Sequence, residues 1–376
     1  MKSPIKILIC FGTRPEAIKM APLIKAFQDN NNIELKVCIT AQHREMLDQV
    51  LNFFDIKPDY DLDLMTPNQT LNELAGKIFT NIDPVLKEAM PDIVFVHGDT
   101  LTSSICAWAA FHKRIKVAHI EAGLRTYNKQ SPFPEEINRQ ITGRIADYHF
   151  ASTIWAKQNL LNEGVDSKSI LVTGNTVIDA LQSGLDKIST GYSGKDLTCV
   201  KNLVDESKKI ILITGHRREN FGEGFENLCK AIKRIASRAD VQIIYPVHLN
   251  PNVQEPVNRI LSNCSNVHLI SPVDYPAFIY LMSVSYLIIT DSGGVQEEAP
   301  SLGKPVLVTR DTSERPEAIY AGTVRLVGTD QSKIVEETLE LLDNTDYYNK
   351  MSKAHNPYGD GNACSRILEF FRTSIK

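Results

Sequence analysis

The chain has 376 residues, 43% of them apolar and 23% charged, with a formal net charge of −4. That length and apolar share can supply two hydrophobic cores, whereas a mildly acidic chain without a basic run argues against nucleic-acid binding. Seven cysteines without paired spacing argue against a disulfide framework or a zinc site, and no apolar run has membrane-spanning length or reads as a leader, so a cytoplasmic protein off the membrane is expected.

The first element is the continuous apolar run Ile5–Phe11, the pattern of a parallel strand buried on both faces. Gly12-Thr-Arg-Pro-Glu-Ala-Ile-Lys follows it. Gly12 and Thr13 suit a turn and Pro15 a first helical turn, with Arg14 and Lys19 on neighbouring turns near one helix mouth. This is neither the Gly-x-Gly-x-x-Gly dinucleotide fingerprint nor a P-loop. With no metal-ligand cluster either, neither cofactor nor metal is expected.

Further strands are expected at residues 35–40, 92–97, 116–120, 148–151 and 170–173, with helix-length segments between them. Asp99 and Glu121 stand just past two of these strands. Asp99 suits an N-cap and Glu121 an ion pair with Arg125, but carboxylates at two strand ends also suit paired acid/base work. Residues 131–139 give a proline-rigid approach to a helix with Glu135 and Glu136 in its first turn, where the helix dipole alone justifies acids.

A second series starts at 209–214 and continues at 241–247, 267–270, 286–290 and 305–309. His216 and Arg217 follow its first strand at a Thr-Gly turn. Asp291-Ser-Gly-Gly-Val-Gln-Glu-Glu follows the fourth: a strand, a Gly-Gly turn and a helix start, where unpartnered N–H groups and the dipole favour a phosphate. Ser292, Gly293 and Gly294 would meet that phosphate, and Glu298 could hold ribose hydroxyls. Arg315 and Glu317 follow the last strand. The turn-rich stretch from Asn356 leads into a final amphipathic helix over residues 364–373.

Two alternating series predict an α/β chain of two doubly wound Rossmann-like domains with ligands beyond the carboxyl ends of the strands, in a central cleft. The expected division is 1–174 (acid/base residues), 175–355 (nucleotide binding) and 356–376, a helix returning to the first domain.

Taken in order, Gly12-Thr-Arg-Pro-Glu-Ala-Ile-Lys, Thr40-Ala-Gln-His-Arg-Glu, His97-Gly-Asp-Thr, His119-Ile-Glu-Ala-Gly-Leu-Arg, Pro134-Glu-Glu-Ile-Asn-Arg, Thr214-Gly-His-Arg-Arg-Glu-Asn, Asp291-Ser-Gly-Gly-Val-Gln-Glu-Glu and Asn356-Pro-Tyr-Gly-Asp-Gly resemble the bacterial non-hydrolysing UDP-N-acetylglucosamine 2-epimerases over nearly the whole chain. The resemblance implies a glycosyltransferase-B-like fold, a homodimer, and interconversion of UDP-N-acetylglucosamine and UDP-N-acetylmannosamine for surface-polysaccharide synthesis. It implies an acid/base set of Asp99, Glu121 and Glu135, with His216 beside the diphosphate. It also implies nucleotide-sugar contacts at Arg14, Lys19, Arg217, Ser292, Glu298 and Arg315, with Phe278 near the uracil. Some relatives hold an activating second UDP-sugar near Gln42 and His43, but Glu45 and Asn68 stand here where those have Gln and Arg. Val273 also replaces a Gln near the uracil pocket. The implied chemistry is elimination of UDP to 2-acetamidoglucal and re-addition. The alternatives are an epimerase of a modified UDP-2-acetamido sugar and a hydrolysing epimerase.

Overall fold

The computed structural model describes residues 3–41, 44–313 and 315–374 and divides into two units: the residues up to 183 together with those from 358, and residues 184–357. The first unit runs β1 (Ile5–Phe11), α1 (Arg14–Gln28), β2 (Ile33–Ile39), α2 (Arg44–Phe53), β3 (Tyr60–Asp61), α3 (Leu71–Ala89), β4 (Ile93–His97), α4 (Leu101–His112), β5 (Lys116–Ala122), α5 (Glu135–Ile145), β6 (Tyr148–Ala151), α6 (Ile154–Asn162), β7 (Ile170–Val172) and the start of α7 (Thr176–Ser189). The second contains α8 (Lys195–Leu203), β8 (Lys209–Thr214), α9 (Glu223–Ile235), β9 (Val241–Pro246), α10 (Pro251–Leu261), β10 (Val267–Ile270), α11 (Tyr275–Val284), β11 (Leu287–Thr290), α12 (Gly293–Glu298), β12 (Val306–Val308), α13 (Pro316–Ala321), β13 (Val324–Leu326), α14 (Gln331–Asp343) and α15 (Thr345–Ser352). The final helix, α16 (Ala363–Ser374), belongs to the first unit.

Among the described residues the first sheet has order β3-β2-β1-β4-β5-β6-β7 and the second β10-β9-β8-β11-β12-β13, every pair parallel. Central strands are apolar throughout because helices cover both faces; Leu8, Ile9, Cys10 and Phe11 are all 0% exposed. In each sheet the strand order reverses once, at β1/β4 and at β8/β11. The loops at the carboxyl ends of those strands are where a doubly wound sheet holds its ligand.

The units divide inside α7, at 183/184, and not at residue 174 as the sequence suggests. The start of α7 stays with the first unit because it holds the last helix. The Asp179 carboxylate accepts the main-chain N–H groups of Ala363 (3.2 Å) and Cys364 (2.9 Å), and Phe371 packs on Phe95 with ring centroids 5.2 Å apart. Among the described residues, no helix is long and apolar enough to cross a membrane.

Candidate active site

In the first unit, β4 and β5 lie side by side with His97 opposite Ile120, so Asp99 and Glu121 emerge from adjoining strand ends. Glu121 is 8% exposed with φ of 61°, and the register between β5 and β6 slips between Ile120 and Ala122. A non-glycine residue held in the left-handed region at a bulge is the kind of strain found at functional positions. Its Oε1 is ion-paired with Lys19 Nζ from α1 and accepts a hydrogen bond from Asn175 Nδ2 at 2.8 Å. Its Oε2 lies 3.7 Å from His97 Nε2. A Cβ at Gly98 would stand 3.3 Å from that oxygen, at a φ of 63°, so glycine leaves the carboxylate its place. The ion pair with Arg125 that the sequence allows does not form, because Arg125 makes a two-pronged pair with Glu163 at 2.7 and 2.8 Å.

Asp99 does not cap α4 either. That role falls to Thr100, whose hydroxyl accepts the N–H of Ser103 at 3.0 Å. The Asp99 carboxylate instead faces Arg139, with Nη2 3.2 Å from Oδ2. Loss of solvent in its recess pushes Asp99 up to about 6; Arg139 draws it back, while the charges of Glu121 and Glu135 repel it further. Glu135 opens α5 and is half-buried. Glu136 is spent on structure. It is 0% exposed and accepts the N–H groups of Thr126 and Tyr127, both at 3.0 Å.

Arg14 is the first residue of α1, and a capping box holds that helix start. Glu16, 2% exposed, accepts from the N–H groups of Gly12 (3.0 Å) and Thr13 (2.8 Å) with one oxygen and from the Thr100 hydroxyl (2.7 Å) with the other. It therefore joins the loop after β1 to the loop after β4, and its burial pushes it up to about 7 despite those bonds.

In the second unit the organiser is Asp291, 0% exposed, at the end of β11. Its Oδ2 accepts the main-chain N–H groups of His216 (2.9 Å) and Arg217 (2.8 Å), and its Oδ1 lies 3.5 Å from His216 Nδ1. His216 is half-exposed and stacks on His248 at 5.6 Å. Burial lowers its pKa, while Asp291 opposes the shift. Ser292 leads into α12 without a side-chain cap bond. A Cβ at Gly293 would lie 3.6 Å from the Arg315 guanidinium and 3.9 Å from that of Arg217. Two cations thus flank the glycine that opens α12, an arrangement suited to a diphosphate. Arg315 is fixed by an ion pair with Glu297 and by its N–H to Ser313 Oγ at 3.0 Å. Glu298 is 9% exposed, with Oε1 3.4 Å from a Cβ placed on Gly294. Phe278 is half-buried on α11, the helix leading into β11.

Of the residues expected from sequence, Lys19, Asp99, Glu121 and Glu135 come together in the first unit and His216, Arg217, Gly293 and Arg315 in the second. Gln42 and His43, the expected effector positions, lie outside the described residues. His97, Asn175 and Arg139 gain roles that their sequence positions do not announce. Each stands beside a strand end or inside a motif, and that placement is the only local signal.

The family model for UDP-N-acetylglucosamine 2-epimerase matches residues 25–372. The chain is 57% identical to the UDP-N-acetylglucosamine 2-epimerase of Campylobacter jejuni over 96% of each chain, and 57% identical to that of Escherichia coli K12 over 98% of this chain and 99% of the relative. The solved UDP-GlcNAc 2-epimerase of Neisseria meningitidis bound to UDP-GlcNAc superposes with a TM-score of 0.90 at 52% identity, covering 98% of this chain and all of that one. The fold is therefore of the glycosyltransferase-B-like type, two Rossmann-like domains. With the family model spanning most of its length and relatives above half identity along it, the chain belongs to the UDP-N-acetylglucosamine 2-epimerase family, enzymes of the isomerase class.

Proposed function

We propose that this chain interconverts UDP-N-acetylglucosamine and UDP-N-acetylmannosamine without hydrolysis. The reading rests above all on two carboxylates from adjoining strands in unlike settings: Asp99, held up to about 6, and Glu121, facing the Lys19 ammonium. Unlike environments for neighbouring acids are how one site runs both proton removal and proton delivery.

The hydrogen on C2 of the sugar is not adjacent to a carbonyl, so a side chain cannot remove it from the ground state. Cleavage of the C1–O bond changes that. The bond's electron pair leaves with UDP, positive charge grows at C1, and the C2 proton becomes acidic enough for a carboxylate. The products are 2-acetamidoglucal and UDP, and re-addition with protonation on the opposite face gives the epimer. Asp99, Glu121 and Glu135 form the acid/base set. Arg14, Arg217, Arg315, His216 and the Ser292–Gly294 turn serve the leaving diphosphate, whose charge develops in the transition state. A bound diphosphate would itself favour the imidazolium form of His216. Lys19, Glu298 and Phe278 complete the nucleotide-sugar contacts.

The active species is a cytoplasmic homodimer in this reading, supported by the exposed Trp108 (42%) and Phe111 (59%) on α4. The deciding experiment is proton NMR of UDP-N-acetylglucosamine with the pure protein in heavy water. UDP-N-acetylmannosamine carrying deuterium at C2 is expected. Free N-acetylmannosamine with UDP would assign the chain to hydrolysis, and retention of the original C2 hydrogen in every turnover would exclude elimination with solvent exchange.

A further inference from the structure

His97 is 3% exposed, and its Nε2 has no hydrogen-bond partner although it is shut off from solvent. Buried polar nitrogens are almost always bonded, so an orphan of this kind has a reason to be there. The main chain at His97 favours a proton on the ring, and with Nε2 left unbonded 3.7 Å from a carboxylate oxygen the N–H is placed on Nδ1. Burial holds the ring neutral, with a pKa of about 4. A neutral ring that donates from one nitrogen carries a lone pair on the other. That lone pair faces Glu121 Oε2 across 3.7 Å. Two acceptors so placed cannot bond, and the gap is what their mutual repulsion requires. Lys19 from α1, Asn175 ahead of α7 and the charge of Asp99 past β4 also face Glu121.

A proton on Glu121 Oε2 changes the pairing. The O–H then has a waiting acceptor, and the distance can close to an ordinary O–H···N bond. We infer that His97 is a positioning residue that accepts a hydrogen bond from Glu121 whenever that carboxyl holds the substrate's C2 proton. It thereby fixes which oxygen carries the removed proton until that proton exchanges with solvent, while the opposite face is protonated by another member of the acid/base set. The inference rests on the epimerase reading above. In proton terms, the C2–H electron pair becomes the new C1–C2 π bond, the proton goes to Oε2, and UDP leaves with the C1–O pair. His97 gains no proton. Its bond exists only in the protonated state, so it acts on turnover and not on substrate binding.

Two variants of similar length separate this role from packing: His97→Gln keeps an oxygen lone pair within reach, and His97→Met fills the space without a comparable acceptor. Expected for His97→Met is a kcat reduced roughly tenfold, the worth of one hydrogen bond formed on the way to the transition state. KM should stay within about twofold, and the isotope effect with C2-deuterated UDP-N-acetylglucosamine should rise as proton transfer becomes slower. His97→Gln should recover most of kcat and the wild-type isotope effect. If His97→Met does not fold, His97→Asn replaces it, since it is too short to reach Glu121 and must show the same losses. A glutamine variant no better than the methionine or asparagine variant, or a lower kcat with an unchanged isotope effect, overturns the inference. Wild-type protein that shows no C2 exchange in heavy water would instead overturn the epimerase reading, so the two failures are distinguishable.

Discussion

Removing Arg139 tests the electrostatics of the site most directly. Arg139 is 5% exposed, and its Nη2 lies 3.2 Å from Asp99 Oδ2. Two unit charges at that distance interact by about 5 kcal/mol at an effective dielectric of about 20. The guanidinium also faces Glu136 at 3.6 Å and its charge is spread over three nitrogens, so only part of that acts on Asp99. An arginine neighbour typically lowers an aspartate by roughly one to three pH units. In Arg139→Met, Asp99 should therefore rise from about 6 to roughly 7–9. The limb of the kcat/KM–pH profile that reports Asp99 moves to higher pH by the same amount, whether Asp99 acts as acid or base. Stability carries the same sign. A carboxyl raised on folding contributes fully below its ordinary value of 3.8, and the contribution is lost as pH climbs through about 6. In the variant that loss continues to about 8, so urea midpoints should keep falling between about pH 6 and 8, by roughly 2–3 kcal/mol beyond the wild type. A limb that stays in place or moves to lower pH would refute this account of Asp99.

Other perturbations have equally defined outcomes. Asp291→Ala strips two main-chain N–H groups of a buried charged acceptor and should lower unfolding free energy by about 3–5 kcal/mol in urea titrations; an unchanged midpoint would show that the His216 loop stands without it. Gly123→Ala would place a Cβ 2.2 Å from the Ala156 carbonyl oxygen at a φ of 91°, a loss of about 3 kcal/mol or more that calorimetry should register as a markedly lower Tm. Glu16 is raised from 4.5 to about 7 by burial, so its contribution is whole below 4.5 and lost as pH rises through about 7. Glu16→Gln should therefore gain on the wild type by about 3 kcal/mol between about pH 4 and 8, the 2.5-unit difference at 1.36 kcal/mol each; a pH-independent gap would count against it. Exposed Glu45 and Asn68, at the positions where the resemblance implies Gln and Arg in activated members, predict near-hyperbolic rates against UDP-N-acetylglucosamine and no lag in the reverse reaction. A lag abolished by adding that sugar would show an intact effector site.

Some parts of this architecture are legible in the chain because the physics is local. Ile5–Phe11, Lys209–Thr214 and Val267–Ile270 read as strands over their full observed lengths. β3 and β13 do not: Tyr60–Asp61 and Val324–Leu326 are edge strands of two and three residues, with no apolar run to announce them. The strand-to-helix junctions at Gly12 and Ser292 and the acids at Asp99 and Glu121 are legible for the same reason, although the expected Gly-Gly turn is itself the first turn of α12. Which of these residues face each other is not local. Lys19 reaches Glu121 across 102 positions because strand order inserts β4 beside β1 and sets β5 beside β4. That one reversal brings the loops after β1, β4 and β5 to the same edge, where Glu16 ties the first to the second and Lys19 ties the helix after the first to the third. Arg125, four residues from Glu121 and its natural partner on sequence spacing, is drawn instead to Glu163 at the end of α6. A charge thus chooses its partner by strand order before sequence distance. The orphan nitrogen of His97 belongs to the same class of fact: it is visible only once β4 and β5 have been laid side by side.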